Sequence, residues 1–113
     1  MPGPPQNNNN EERRSSPRAP LVAKVEAEAT GHSFLAVTAD VSAGGMRIHT
    51  ANPLPVGAEL RLRFVLPGPE GSQGVTIETG AVVRYVVEGT AMGVEFTSLD
   101  PAARAALACF VSS

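Results

Sequence analysis

The sequence predicts a mainly β protein: a small antiparallel barrel of about six strands, with one C-terminal helix and a flexible N-terminal arm. Apolar and polar residues alternate in several short stretches, which is typical of strands with one buried face. Segments rich in Gly and Pro separate these stretches at short intervals. One stretch near the C-terminus instead has apolar residues at helical spacing, which predicts the helix.

The N-terminal part has little to bury. The chain has 113 residues, which is enough for one domain, and we place that domain at residues 13–113. Residues 1–12 are rich in Pro, Gly and Asn, so we expect a disordered segment there. Residues 13–18 lack an apolar period, and Pro17 and Pro20 disfavour a helix. They should form an extended arm that moves unless an anion holds it.

Three strands are predicted in the first half of the domain. Residues 21–29 alternate between apolar side chains and Lys or Glu, which predicts a strand with one wet face. A turn at residues 30–33 leads to a second strand at residues 34–41. We expect four apolar side chains on one side of that strand: Leu35, Val37, Ala39 and Val41. On the third strand, Met46 and Ile48 should face inward, with Arg47 and His49 facing out.

The second half continues the pattern. After a proline loop at residues 52–57, residues 60–66 show the clearest alternation in the chain. Residues 67–74 should form a hairpin tip, since they contain three glycines and two prolines. A long strand at residues 75–87 should bend or bulge at Gly80, and a last strand follows at residues 92–96.

The C-terminal helix has its own start signal and apolar stripe. Asp100 is suited to the N-cap and Pro101 to the first helical position. Three apolar residues then recur at helical spacing: Ala103, Leu107 and Phe110. The helix should therefore lie against the barrel or close one of its ends.

The corner between the second and third strands carries the most distinctive chemistry. Asp40 and Ser42 offer a carboxylate and a hydroxyl on the same side of a strand end. Gly44 and Gly45 follow, and the lack of side chains there lets a ligand or another backbone approach. From these residues alone, both a hairpin turn and a ligand site are consistent.

Charge is unevenly distributed along the chain. The net charge is −2, which argues against a protein that binds nucleic-acid polymers through a broad basic surface. Three of the nine basic residues nevertheless lie within the arm: Arg13, Arg14 and Arg18. They form a local patch that attracts anions on a mildly acidic protein.

Two motifs together resemble a known family. Arg14 and Arg18 have the spacing Arg-x-x-x-Arg, and Asp40, Ser42 and Gly45 have the spacing Asp-x-Ser-x-x-Gly. In this order they resemble the signature of the PilZ domain, a bacterial receptor for the second messenger cyclic di-GMP. The resemblance extends from Arg13 to about residue 110. It implies a six-stranded β-barrel that binds its ligand on the outside.

The resemblance also implies roles for the motif residues. Arg14 and Arg18 would fork onto phosphate oxygens or onto guanine O6 and N7 while stacking on a purine. Asp40 would accept hydrogen bonds from guanine N1–H and N2–H₂, and Ser42 would donate to or accept from the base. Gly45 would keep the barrel surface low beneath the nucleotide.

Arg13 has two open interpretations. In similar proteins an Arg at this place stacks on a second, intercalated nucleotide, which would give two ligands per chain. It is equally consistent with a solvated charge.

The implied output is a signal to another protein. Cyclic di-GMP would draw the arm onto the corner and change the surface that a downstream partner contacts. The resemblance implies a role in bacterial motility, biofilm or exopolysaccharide control. From the residues themselves we expect no reaction and no cofactor, and no metal because the two histidines lack a third ligand.

Three other classes compete with the receptor. An enzyme is disfavoured because His32 and His49 lack a carboxylate cluster and Ser42 has no His nearby in sequence. A PilZ-like adaptor that contacts proteins without binding nucleotide remains an alternative, although every motif position is filled. A barrel that binds oligonucleotides would need aromatic residues on a basic face, and the chain has only five aromatics.

Several remaining residues bear on location and on the borders of the site. Cys109 is the only cysteine, so no disulfide framework is predicted. The N-terminus is polar and no apolar run reaches bilayer length, so we expect a cytoplasmic protein without membrane insertion. Arg61 and Arg63 should lie on a wet strand face, with a place at the border of the ligand as the alternative. Arg84 should meet the ligand or pair with an acidic residue, either Glu78 or Glu95.

Overall fold

The computed structural model describes residues 18–68 and 73–112 of the chain. Six antiparallel strands form a closed barrel in the order β1-β2-β3-β6-β5-β4, which confirms the predicted fold class. The elements are β1 (Arg18–Ala29), β2 (His32–Ser42), β3 (Gly45–His49), β4 (Glu59–Leu66), β5 (Val75–Val87), β6 (Ala91–Phe96) and α1 (Pro101–Ser112). Residues 1–17 lie outside the described residues, and so do residues 69–72 of the predicted hairpin tip.

The first strand is longer than its apolar alternation indicated. β1 begins at Arg18, so the last residue of the predicted arm belongs to the barrel. The predicted turn at residues 30–33 is shorter, because only Thr30 and Gly31 connect β1 to β2. Both have positive φ, 50° and 82°, as a tight hairpin of the mirror-image type requires.

The predicted face of β2 is wrong over most of its length. Leu35 and Val37 are exposed, by 68% and 44%, whereas Ala36 and Thr38 face the core. The inward phase changes between Thr38 and Val41, where the pairing of β2 with β3 shifts register. A bulge inserts one residue into a strand and so reverses which parity faces inward beyond it. The four apolar residues that were predicted to share one face of β2 therefore do not all face the core.

The remaining strands supply a continuous core. Met46 and Ile48 of β3 point inward as predicted, and every second residue of β4 is buried: Leu60, Leu62, Phe64 and Leu66. The rings of Phe64 and Phe96 stack with their centroids 6.1 Å apart. Burial of these side chains supplies the main driving force for closing the barrel.

Of the bend or bulge predicted at Gly80, the bulge is wrong. β5 pairs with β4 without interruption from Val75 to Val82, and the register shift falls between Val83 and Tyr85. Gly80 serves close packing instead, because a Cβ there would lie 2.9 Å from Thr97 Oγ1. Its amide donates to Ser98 Oγ at 2.7 Å, and its carbonyl accepts from the Thr97 amide at 2.9 Å.

The helix has the predicted start and stripe. Asp100 Oδ1 accepts a hydrogen bond from the Ala103 amide at 2.7 Å, which is the N-cap interaction. Ala103 and Leu107 are buried in the barrel core, and Phe110 packs against it. In the described part of the chain, no helix has both the length and the apolar character needed to cross a bilayer.

Candidate functional site

The bulge in β2 brings Asp40 to the outer surface of the barrel. Strict alternation from Ala36 and Thr38 would turn Asp40 into the core, where an unpaired carboxylate is costly. The Thr38 hydroxyl, which is fully buried, lies 2.9 Å from the carbonyl oxygen of Asp40 and 2.7 Å from that of Arg47. Its single proton is shared between these two carbonyls across the irregular pairing, which holds the bulge.

Arg18 and Asp40 meet at this surface. The pairing of β1 with β2 puts Pro20 opposite Asp40 and Arg18 opposite Ser42. Arg18 Nε donates to Asp40 Oδ1 at 3.2 Å, and Arg18 Nη2 forms a salt bridge with the same oxygen. The side chains are 49% and 33% exposed, so both remain accessible to a ligand. The structure therefore joins one half of the Arg motif to the Asp-Ser-Gly corner.

Ser42 stabilises the corner itself. Its Oγ accepts hydrogen bonds from the amides of Gly44 at 3.2 Å and Gly45 at 3.1 Å. It also lies 3.3 Å from the Gly45 carbonyl oxygen, to which it donates. Ser42 is only 4% exposed. This backbone role agrees with the hairpin-turn interpretation of the corner and is the ordinary tendency of Ser to close turns.

Gly45 is needed for strand packing. A Cβ at this position would lie 2.1 Å from the carbonyl oxygen of Val94 on β6. Gly45 is also directly opposite Glu95 in the pairing of β3 with β6. A side chain would push the two strands apart, so the barrel wall here requires glycine whether or not a ligand lies above it.

Two other arginines on the outer surface, Arg63 and Arg84, form salt bridges. Arg84 pairs with Glu95 at 2.6 Å, which decides between the two acidic partners considered for it. Arg63 lies 3.2 Å from Glu78 and 3.6 Å from Glu26, on the exposed face predicted for β4. Both cations are therefore neutralised in the free protein.

Arg47 was not identified as a site residue from the sequence. It lies directly opposite Asp40 in the pairing of β2 with β3 and is half-buried. Among the described residues, its guanidinium forms no salt bridge. Its outward orientation followed from alternation on β3, but its position beside Asp40 depends on the bulge, which the sequence did not indicate. Arg13 and Arg14 lie outside the described residues, so their roles stay predictions.

Comparisons with known proteins agree with the motifs and the barrel. The model of the PilZ domain family matches residues 12–113. The sequence matches no curated protein significantly.

Solved structures share the fold. The inhibitor of motility MotI/DgrA of Bacillus subtilis superposes with a TM-score of 0.78 at 27% identity. That match covers 88% of this chain and 50% of MotI, so the chain spans half the length of that protein.

Two further likenesses, at lower identity, show the fold alone. The PilZ domain of CeSA from a cellulose-synthesizing bacterium gives a TM-score of 0.62 at 20% identity, covering 84% of this chain and 94% of that one. Borreliella burgdorferi PlzA, solved in complex with c-di-GMP, gives 0.59 at 12% identity, covering 96% and 45%.

Proposed function

Because the chain belongs to the PilZ domain family, whose members are receptor and adaptor domains, we propose that it binds cyclic di-GMP on the outer face of the barrel. The observation that supports this proposal best is the contact between Arg18 and Asp40. This contact joins the Arg motif to the Asp-Ser-Gly corner at a surface that a ligand can reach. PlzA, which was solved with c-di-GMP, has the same fold.

The free pair leaves donors and an acceptor available for the ligand. Both contacts from Arg18 end on Asp40 Oδ1. Among the described residues, Asp40 Oδ2 and Arg18 Nη1 make no hydrogen bond. Oδ2 can accept from guanine N1–H and N2–H₂, while Nη1 donates to a phosphate oxygen or to guanine O6. The ion pair therefore orients both groups before the ligand arrives, which lowers the entropy lost on binding.

Ser42 and Gly45 help to position the Arg18–Asp40 pair. Ser42 and Gly45 hold the turn and the barrel wall that carry Asp40. In this proposal Gly45 also keeps the wall free of side chains under the ligand, and the Ser42 hydroxyl contacts the base only by giving up a backbone hydrogen bond. The ligand contacts of Arg18 and Asp40 are then the dominant ones.

Ligand binding brings the rest of the arm onto this surface. Arg14 is four residues before Arg18, and its guanidinium would add a second cation for the two phosphates. Arg13 would either stack on a second nucleotide or stay solvated. The repositioned arm changes the surface that a partner protein contacts, so the output is a conformational signal rather than a reaction.

The likeness to MotI makes motility control one candidate pathway. Biofilm and exopolysaccharide control are the others that the family resemblance implies, and the cytoplasm is the compartment in which we place the protein.

A nucleotide-independent adaptor is the second candidate. Leu35 and Val37 are exposed on β2, and Val22 is 83% exposed on the neighbouring β1. Exposed aliphatic side chains on adjacent strands suit contact with another protein. In that case the Arg18–Asp40 ion pair would be a permanent part of the surface and would not open toward a ligand.

Calorimetric titration of the full chain tests the two candidates. Cyclic di-AMP is the matched ligand control, because it has the same phosphates but lacks guanine O6 and N2–H₂. The receptor proposal predicts saturable binding of cyclic di-GMP and at least tenfold weaker binding of cyclic di-AMP, as expected for loss of a charge-assisted hydrogen bond to Asp40. No binding of either dinucleotide would favour the adaptor.

A further inference from the structure

A row of residues crosses the outer face of the barrel from Asp40 to Tyr85. Asp40 is opposite Arg47, Arg47 is opposite Gly93, and Gly93 is opposite Tyr85. Directly opposed residues in antiparallel strands project from the same face of the sheet. Asp40 and Tyr85 are therefore on one surface, three strand spacings or about 14 Å apart.

Gly93 sets the position of the tyrosine ring. A Cβ on Gly93 would lie 2.0 Å from Tyr85 Cε2, so the ring leans over the glycine toward β3. This orientation shortens the gap between the ring and Arg47. Tyr85 is nevertheless 44% exposed, which leaves much of its aromatic surface in contact with water. An exposed aromatic ring that covers a glycine on a barrel wall is a surface on which a base can stack.

Arg47 supplies charge between Asp40 and the ring. It is half-buried and, within residues 18–68 and 73–112, has no carboxylate partner. The nearest acidic neighbour on β6, Glu95, is already paired with Arg84. The row thus presents an acceptor, an uncompensated cation and an aromatic ring in that order. Such a sequence of groups fits a guanine edge, a phosphate and a second purine.

We propose that the ligand face continues from Asp40 across β3 and β6, with Arg47 contacting a phosphate and Tyr85 stacking on a purine base of the bound cyclic dinucleotide. This inference rests on the proposed receptor function. It adds two residues that lie outside both sequence motifs. It also explains a glycine at position 93, because any side chain there would displace the ring from the ligand face.

Intrinsic fluorescence gives a direct readout. The chain contains one tyrosine and no tryptophan, so its tyrosine emission comes from Tyr85 alone. Titration of the full chain with cyclic di-GMP should change this emission along the same saturation curve as calorimetry. Free N-acetyl-tyrosinamide at the same absorbance corrects for light absorbed by the ligand.

Variants separate stacking from folding. Tyr85→Ala should weaken binding roughly tenfold or more, as loss of one base–aromatic stack does, whereas Tyr85→Phe keeps the ring and should stay within about threefold. Arg47→Ala should weaken binding by about tenfold, with partial recovery in Arg47→Lys. Val87→Ala on the same strand and Arg61→Ala on β4 are the matched controls and should bind as the unmodified chain does.

The outcomes distinguish this inference from the receptor function. If cyclic di-GMP binds but leaves Tyr85 emission unchanged, the ligand face does not reach Tyr85 while the receptor function stands, and normal binding by Tyr85→Ala leads to the same conclusion. If the unmodified chain does not bind, both are wrong. The fluorescence titration needs no variant, so it decides the question even if Tyr85→Ala fails to fold.

Discussion

Arg18 and Asp40 are 22 residues apart in sequence and form an ion pair on the outside of the barrel. The pair depends on two irregularities at the same level of the sheet. The register between β1 and β2 shifts between Pro20 and Ala23, and that between β2 and β3 shifts between Thr38 and Asp40. Together they turn the carboxylate outward and bring the first residue of β1 beside it.

The ion pair should contribute little to the stability of the free protein. Both side chains are well exposed, and exposed pairs typically contribute at most about 1 kcal/mol. Arg18→Ala should therefore lower the free energy of unfolding in urea by less than about 1 kcal/mol. Arg63→Ala, which removes another exposed pair, is the control and should behave similarly. A loss above about 2 kcal/mol for Arg18→Ala alone would make the pair a structural element of the barrel.

Ser42, unlike Arg18, should contribute substantially to the stability of the free protein. Its buried hydroxyl accepts from two backbone amides, so Ser42→Ala removes a partner from the buried amide of Gly45. The expected loss in urea denaturation is about 1–3 kcal/mol. Ser33→Ala, at an exposed position on the same strand, should change stability by less than about 0.5 kcal/mol. Equal stability of the two variants would contradict the backbone role of Ser42.

Gly45 should be intolerant of any side chain. Because an added Cβ would meet the Val94 carbonyl oxygen at 2.1 Å, Gly45→Ala must move β3 away from β6. Overpacking of this kind costs about 1–3 kcal/mol or more. Hydrogen exchange of the β3 and β6 amides should accelerate more than that of β1 and β4. Uniform exchange across all strands would mean that the wall relaxes without separating.

Binding should protect the arm. If cyclic di-GMP brings residues 13–17 onto the corner, the amides of residues 13–16 should exchange more slowly with ligand than without it. Arg14→Ala should weaken this protection, because it removes a cation that contacts the phosphates. The helix α1 serves as the internal reference and should exchange equally in both states. Equal protection of the arm with and without ligand would refute the ordering mechanism.

Much of the barrel was predictable because burial imposes a period of two on its strands. The alternation in β1 and β4 correctly identified their inward faces, and the Asp100–Pro101 pair correctly placed the start of α1. Local composition decides such features. The pattern failed on β2. Leu35 and Val37 are as apolar as core residues, but they precede the bulge and face outward, whereas Val41 follows the bulge and faces the core.

The site was only partly predictable for a related reason. The two motifs were visible as residue spacings, but the contact of Arg18 with Asp40 in the free chain was not predicted, because the whole arm was expected to move until a ligand holds it. The position of Arg47 beside Asp40, and of Tyr85 over Gly93, depends on cross-strand register. Register is a long-range property of the closed barrel, and no local pattern in this sequence specifies it.

A calorimetric titration of three chains tests the central claim, that the Arg18–Asp40 corner holds cyclic di-GMP. The unmodified protein should bind. Arg18→Ala and Asp40→Ala should each bind roughly tenfold to a hundredfold more weakly, as expected for loss of a charge-assisted contact, while their thermal unfolding stays close to that of the unmodified chain. Unchanged affinity in both variants would place the ligand elsewhere and contradict the account.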